Sequence, residues 1–173
     1  DMGNTMFDFA MDALVHYRYG CCWGVVSSLE VREFQIGNNP FGALWEGKLN
    51  GIDSIGMSPD GAVLWDLGKI PPGGERSLTL KLIFSTNMNE LKKLAAQIKP
   101  LGFSELSEQA AADCSEFLKK CRQIKSGSEK VDRIYQRSLL LFNLMSGKNT
   151  GGLLASPEID EGFTQCGRYA YCW

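Results

Sequence analysis

The stretch ERSLTLKLIFSTNMNELKKLAAQIK, residues 75–99, changes its period in the middle. Up to Phe84 it alternates, with Leu78, Leu80, Leu82 and Phe84 against Thr79, Lys81 and Ile83. A period of two puts these sets on opposite faces of a strand. The expectation is a strand whose Leu/Phe face is buried against another layer. After Thr86 the apolar residues Met88, Leu91, Leu94, Ala95 and Ile98 recur at helical spacing, and Pro100 stops the run. The chain should therefore be β before Thr86 and α after it.

Upstream, DALVHYRYG alternates Leu14, His16 and Arg18 against Val15, Tyr17 and Tyr19, and ends at Gly20. CWGVVSSLEVREFQIG is rich in β-branched and aromatic residues. NNPFG, SPDG and PPGG read as turns. Short strands between such turns suggest an antiparallel sandwich. Downstream, Ser104 is placed to cap a helix with Leu106, Ala110, Cys114, Phe117, Leu118 and Cys121 as its stripe. KSGSEK interrupts. A further helix is expected from about Ser128 to Met145, with Gly147 as its C-cap. Its second half, with Leu139, Leu140, Leu141, Phe142 and Leu144, is apolar nearly all round and should be buried between layers.

The 173 residues are enough to bury a core, and 44% hydrophobic with 22% charged residues is the balance of a globular protein. The formal charge is −2, and no lysine/arginine stripe forms, which argues against nucleic acid as a partner. No apolar run approaches the ~20 residues of a membrane span. The first residues carry acids where a signal peptide needs bases. Cys21, Cys22, Cys114, Cys121, Cys166 and Cys172 include no C-x-x-C pair. Cys21 and Cys22 should face opposite sides of a strand, and Cys114 and Cys121 lie roughly 10 Å apart along a helix, too far to bridge. The cysteines read as small buried hydrophobes, which leans towards a reducing, cytoplasmic setting. With His16 as the only histidine, the spacings do not make a zinc site, and no cofactor motif is present.

His16 sits in a strand pattern with no ligand partner at spacing, and is read as structural. Trp23, Trp45 and Trp65 are read first as core, because a tryptophan in a sandwich usually is; stacking on a sugar is the other use of such rings. Charged pairs such as Lys92–Lys93 and Lys119–Lys120 read as solvated helix faces.

The last stretch, GGLLASPEIDEGFTQCGRYAYCW, residues 151–173, is the densest in chemistry. A loop of about 20 residues is functional or disordered, and Phe163, Tyr169, Tyr171 and Trp173 make it too aromatic for disorder. Preceded by VDRIYQRSLLLFNLM, it resembles the start of the catalytic domain of glycoside hydrolase family 15, the family of prokaryotic glucoamylases and glucodextranases. Gly152, Ala155, Ser156, Pro157 and Glu158 match that family's G-x-[LIV]-[LIV]-A-[SA]-P-E-like run. Tyr169, Tyr171 and Trp173 match its Y-x-Y-x-W, after which the resemblance leads one to expect an Arg-Asp pair. ALVHYRYG, FQIG and LGKIPPGGERSLTLKLIF resemble the later strands of the family's N-terminal sandwich.

The resemblance implies a slice of a longer protein: residues 1–86 the second part of a β-sandwich, 87–126 linker helices, and 127–173 the first helix and loop of an (α/α)6 barrel. It implies hydrolysis of α-linked glucose oligo- or polysaccharides from the non-reducing end, with inversion. Inversion needs a carboxylic acid and a carboxylate base roughly 6.5–9.5 Å apart. In the family both are glutamates in later barrel loops, so no catalytic residue is expected here. Glu158, Asp160 and Glu161 lie too close together in one loop to be that pair. Tyr169 and Trp173 are the implied substrate-binding residues, holding the terminal glucose, with Tyr171 packed beneath. The alternative is a non-catalytic carbohydrate-binding or interaction module that uses Trp23, Trp45 and Trp65 on an open sheet face.

Overall fold

The computed structural model describes residues 3–53 and 59–154. Six strands and a short helix come first: β1 (Asn4–Asp8), β2 (Ala13–Arg18), β3 (Cys21–Ser27), β4 (Glu33–Ile36), α1 (Pro40–Trp45), β5 (Gly61–Leu64) and β6 (Leu80–Ser85). Three longer helices follow: α2 (Met88–Ile98), α3 (Phe103–Lys120) and α4 (Glu129–Met145). The order is β then α, with the change at Asn87, as the period shift predicts. The Asn87 side chain accepts the Glu90 N–H at 2.9 Å and caps α2. The chain divides into two compact units at Leu106/Ser107. Among the described residues no helix is long and apolar enough to cross a membrane.

In the first unit, β1, β2, β3 and β6 form an antiparallel sheet in that order. The β2–β3 hairpin closes on Tyr19 and Gly20, with Gly20 at φ 72°, a conformation that glycine adopts without cost. The β1–β2 turn is held from within by Asp8, whose Oδ1 accepts the N–H groups of Ala10 and Met11, each at 3.0 Å. One sheet face carries Ala13, Val15, Cys22, Val26 and Ile83, and packs on Leu91 and Ala95 of α2 to form the core. Asp8–Lys92 at 3.0 Å and Asp12–Lys99 at 2.9 Å tie the β1–β2 turn to α2.

The strand β6 reverses the expected sidedness. Lys81 and Ile83 are buried, whereas Leu80, Leu82 and Phe84 are exposed. The reason lies in α2, which covers the Lys81/Ile83 side. Lys81 survives burial because its ammonium donates to the carbonyl oxygens of Ile98, at 3.0 Å, and Lys99, at 2.8 Å, where α2 ends. A helix C-terminus carries unpaired carbonyls and a partial negative charge, so a cation is well matched there.

The opposite sheet face meets a two-stranded sheet, β4–β5. Phe34 stacks on Phe7 with ring centroids 4.3 Å apart. Gly61 approaches so closely that a Cβ there would stand 2.7 Å from Leu14 Cδ1 and 3.0 Å from Thr5 Cγ2. These contacts lie on β1 and β2. On β6, Leu82 and Phe84 remain 61% and 62% exposed, beside the half-buried Trp23 and Val25 of β3.

NNPFG is not a simple turn. Gly37, Asn38 and Asn39 all have positive φ, and Pro40 then opens α1 at its first position. The helix α3, whose first turn lies in the first unit, begins at Phe103, so Ser104 lies inside the helix and is not its cap; the Glu105 carboxylate accepts the Gly102 N–H at 2.7 Å instead. Of the α3 stripe, Leu106, Phe117, Leu118 and Cys121 are half-buried, while Ala110 and Cys114 are exposed. The second half of α4 is not buried between layers: Leu141, Phe142 and Leu144 are exposed, because no described layer covers that side. Gly147 does not close α4 in a left-handed conformation; Ser146 is the cap residue, and Gly151 has the positive φ. Among the described cysteines only Cys22 is buried, with Cys21 and Cys114 exposed, so the reading of these cysteines as buried hydrophobes holds for Cys22 alone.

Candidate functional site

Tyr169, Trp173 and Tyr171 lie outside the described residues, as do Glu158, Asp160 and Glu161. What is described is the root of their segment. After α4 the chain folds back on itself: Gly147 N–H donates to Gly152 at 2.8 Å, and Leu154 N–H donates to Met145 at 3.1 Å. Ser146 and Leu153 form an antiparallel bridge. A Cβ on Gly147 would stand 2.6 Å from Thr150 Oγ1, so the glycine serves a close approach. The segment therefore starts from a fixed hairpin at the end of α4. Along α3 and α4 a groove of about 670 Å³ is lined by Cys114, Ile134, Arg137, Leu140, Leu141 and Leu144.

The three tryptophans do not share a face. Trp23 is half-buried on β3 and stacks on His16, with centroids 5.5 Å apart. His16 in turn hydrogen-bonds Thr5 Oγ1 at 3.0 Å, which agrees with a structural histidine. Trp65 donates its Nε1–H to Ser27 Oγ at 2.7 Å, and that hydroxyl donates to the Leu29 carbonyl. Trp45 is neither core nor on the sheet: it stands on α1 and is 80% exposed. Four residues earlier on the same helix, Phe41 is 69% exposed, with its ring centroid 6.0 Å from the indole and the planes at 81°.

The backbone that carries this pair is tied to β4. Gln35, fully buried in β4, donates from Nε2 to the carbonyls of Gly37 at 3.2 Å and Asn38 at 3.0 Å. Its Oε1 accepts the Asn50 N–H at 3.2 Å. One side chain thus bridges both ends of the α1 excursion. Asn39 Oδ1 accepts the Gly42 N–H at 3.1 Å, while Pro40 and Leu49 are buried beneath. Two non-glycine residues in the left-handed region are costly and persist only where the surroundings over-determine them. The sequence signal for this feature was the Asn-Asn-Pro run. Read only as a turn, it hid Phe41 and Gln35.

Among the described residues no group of acids, cysteines and histidine is arranged to hold a metal. No family model, no curated protein and no solved structure matches the chain.

Proposed function

We propose that this chain is part of an inverting, exo-acting α-glucosidase of the glycoside hydrolase family 15 type, cleaving α-linked glucose oligo- or polysaccharides from their non-reducing ends. The observation that carries the reading is the run GGLLASPEIDEGFTQCGRYAYCW placed directly after a leucine-rich helix. In this reading residues 1–86 belong to a β-sandwich, 87–126 to a linker and 127–173 to the start of an (α/α)6 barrel. The uncovered apolar side of α4 supports it, since a barrel helix needs neighbours on both sides. The open β3–β6 half of the sheet supports it too, since a sandwich layer would cover Leu82 and Phe84.

The chain's part in the chemistry is positioning. The acid that protonates the leaving oxygen and the base that activates water are carboxylates outside residues 1–173. Tyr169 and Trp173 stack on the terminal glucose and favour the charge that develops on its ring in the transition state. The hairpin at 146–154 fixes where their segment leaves the helix.

The test is made in a protein that carries the whole barrel. Trp173→Ala and Tyr169→Ala should each cost about 1.5–4 kcal/mol in kcat/KM. Unchanged kcat and KM for both would overturn the assignment. The 173-residue chain alone should release no glucose from maltose or isomaltose, because a rate without both carboxylates falls by orders of magnitude.

A further inference from the structure

We infer that Asn50 is a site of spontaneous covalent modification, a deamidation that turns the Asn50-Gly51 linkage into an aspartyl or isoaspartyl one, and that bonds to β4 hold this site closed in the native fold.

The chemistry is set by two adjacent residues. Asn50-Gly51 is the one Asn-Gly pair in the sequence. Gly51 has no Cβ to shield its nitrogen. Its φ of 63° also favours glycine there, so the fold keeps the labile pair. Once hydroxide takes the Gly51 N–H proton, that nitrogen attacks Cγ of Asn50. The new N–Cγ bond forms, the Cγ–Nδ2 bond breaks, and the amide nitrogen leaves as ammonia. Water then opens the five-membered imide. Opening at Cγ leaves aspartate. Opening at the main-chain carbonyl carbon leaves isoaspartate, whose backbone is one carbon longer. Nothing is oxidised or reduced: water enters and ammonia leaves.

Asn50 is exposed, so hydroxide and water reach it. The attacking nitrogen, however, is committed elsewhere. Gly51 N–H donates to the Phe34 carbonyl at 2.8 Å. Its neighbours are tied to the same strand. The N–H of Leu49, whose side chain is buried, donates to the Glu33 carboxylate at 2.9 Å. Asn50 N–H donates to Gln35 Oε1 at 3.2 Å, and the Ile52 carbonyl accepts the Ile36 N–H at 2.7 Å. Four consecutive residues each hold a bond to β4. Attack requires Gly51 to leave Phe34 and swing towards the Asn50 side chain, which this clamp opposes. Local opening is fast against so slow a reaction, so the rate follows the open fraction. The product cannot rebuild the same ladder. The imide has no N–H for Phe34, and the extra carbon of isoaspartate shifts Gly51 against a Gln35 that is held by the carbonyls of Gly37 and Asn38.

The test incubates the full 173-residue chain at mildly alkaline pH, native or in guanidinium chloride. Trypsin then releases residues 49–69, and mass spectrometry reads the exchange of amide for carboxylate. Asp60-Gly61 lies in the same peptide, but its isomerisation changes no mass. Native chain should convert more slowly than denatured chain by about tenfold or more. Asn50→Gln should gain no mass in either state, because its longer side chain does not close the five-membered ring. Gln35→Ala removes the acceptor for Asn50 N–H and should speed native conversion several-fold. Circular dichroism shows whether that variant is folded; if it is not, Glu33→Ala, which frees Leu49 N–H, takes its place. Equal rates in the native and denatured wild type overturn the clamp, as does a folded variant that converts no faster than wild type. A denatured wild type that gains no mass in residues 49–69 overturns the site itself.

Discussion

Lys81, in the middle of β6, places its ammonium 2.8 Å from the carbonyl oxygen of Lys99, just past the end of α2. With the Ile98 carbonyl at 3.0 Å, that contact ties strand to helix through a charge-assisted cap. Lys81→Met should keep the stem packing and leave these carbonyls without their donor. The expected loss is about 2 kcal/mol of unfolding free energy, read from urea melts. A loss below about 0.5 kcal/mol would mean that water replaces the ammonium.

Asp8 makes the stability pH-dependent. Burial pushes its carboxyl upward, but the hydrogen bond to Lys92, the N–H groups of Met11 and Ala10 and the Lys92 charge together outweigh it, and the pKa is lowered. A lowered acid contributes stability that is fully present above its unfolded pKa and is lost as pH falls through the folded one. The gap in stability between wild type and Asp8→Asn should therefore be constant above about pH 5 and shrink below about pH 4. Melts from pH 7 to pH 2.5 measure it. A gap independent of pH would show that the Lys92 pairing contributes nothing; Lys92 is itself largely exposed, so a gap under about 1 kcal/mol is expected.

Gly61 sets how closely β5 approaches the four-stranded sheet. Gly61→Ala must displace the Leu14, Ile36 and Thr5 side chains that a Cβ would meet at 2.7–3.0 Å. A loss of about 1–3 kcal/mol is expected, with the Leu14 methyl resonances shifted. Unmoved resonances and an unchanged melt would mean that the two sheets separate freely.

The open half of the sheet predicts association. Leu82 and Phe84 project on the uncovered face of the edge strand β6. Sedimentation of the 173-residue chain should show concentration-dependent self-association, and Leu82→Glu with Phe84→Glu should reduce it with little change in melting. A wild-type chain that sediments as a stable monomer at high concentration would contradict the half-sandwich reading.

On the function proposed above, Tyr171→Phe in a protein that carries the whole barrel should alter kcat/KM far less than Tyr169→Ala. The aromatic ring is kept and only a hydroxyl is removed. An equal loss for both would place residue 171 at the sugar.

Much was readable from residues 1–106 because their signals are local. The alternation of Ala13–Arg18, the hairpin glycine at position 20 and the Asn87 cap each act within a few residues. So does the change from period two to helical period across Thr86. The α1 excursion was half-readable: Asn38-Asn39-Pro40 marks a special backbone, but its support comes from Gln35 and Asn50, on either side of α1. Which face of β6 is buried was decided by tertiary structure alone. Alternation says that Leu80, Leu82 and Phe84 lie opposite Lys81 and Ile83. It does not say which side a helix will cover. Here α2 returns on the lysine side, and its terminal carbonyls supply the partners that a buried ammonium requires. A residue's chemistry is local, but the cost of burying it depends on atoms about twenty positions away, and only the fold brings those atoms to hand.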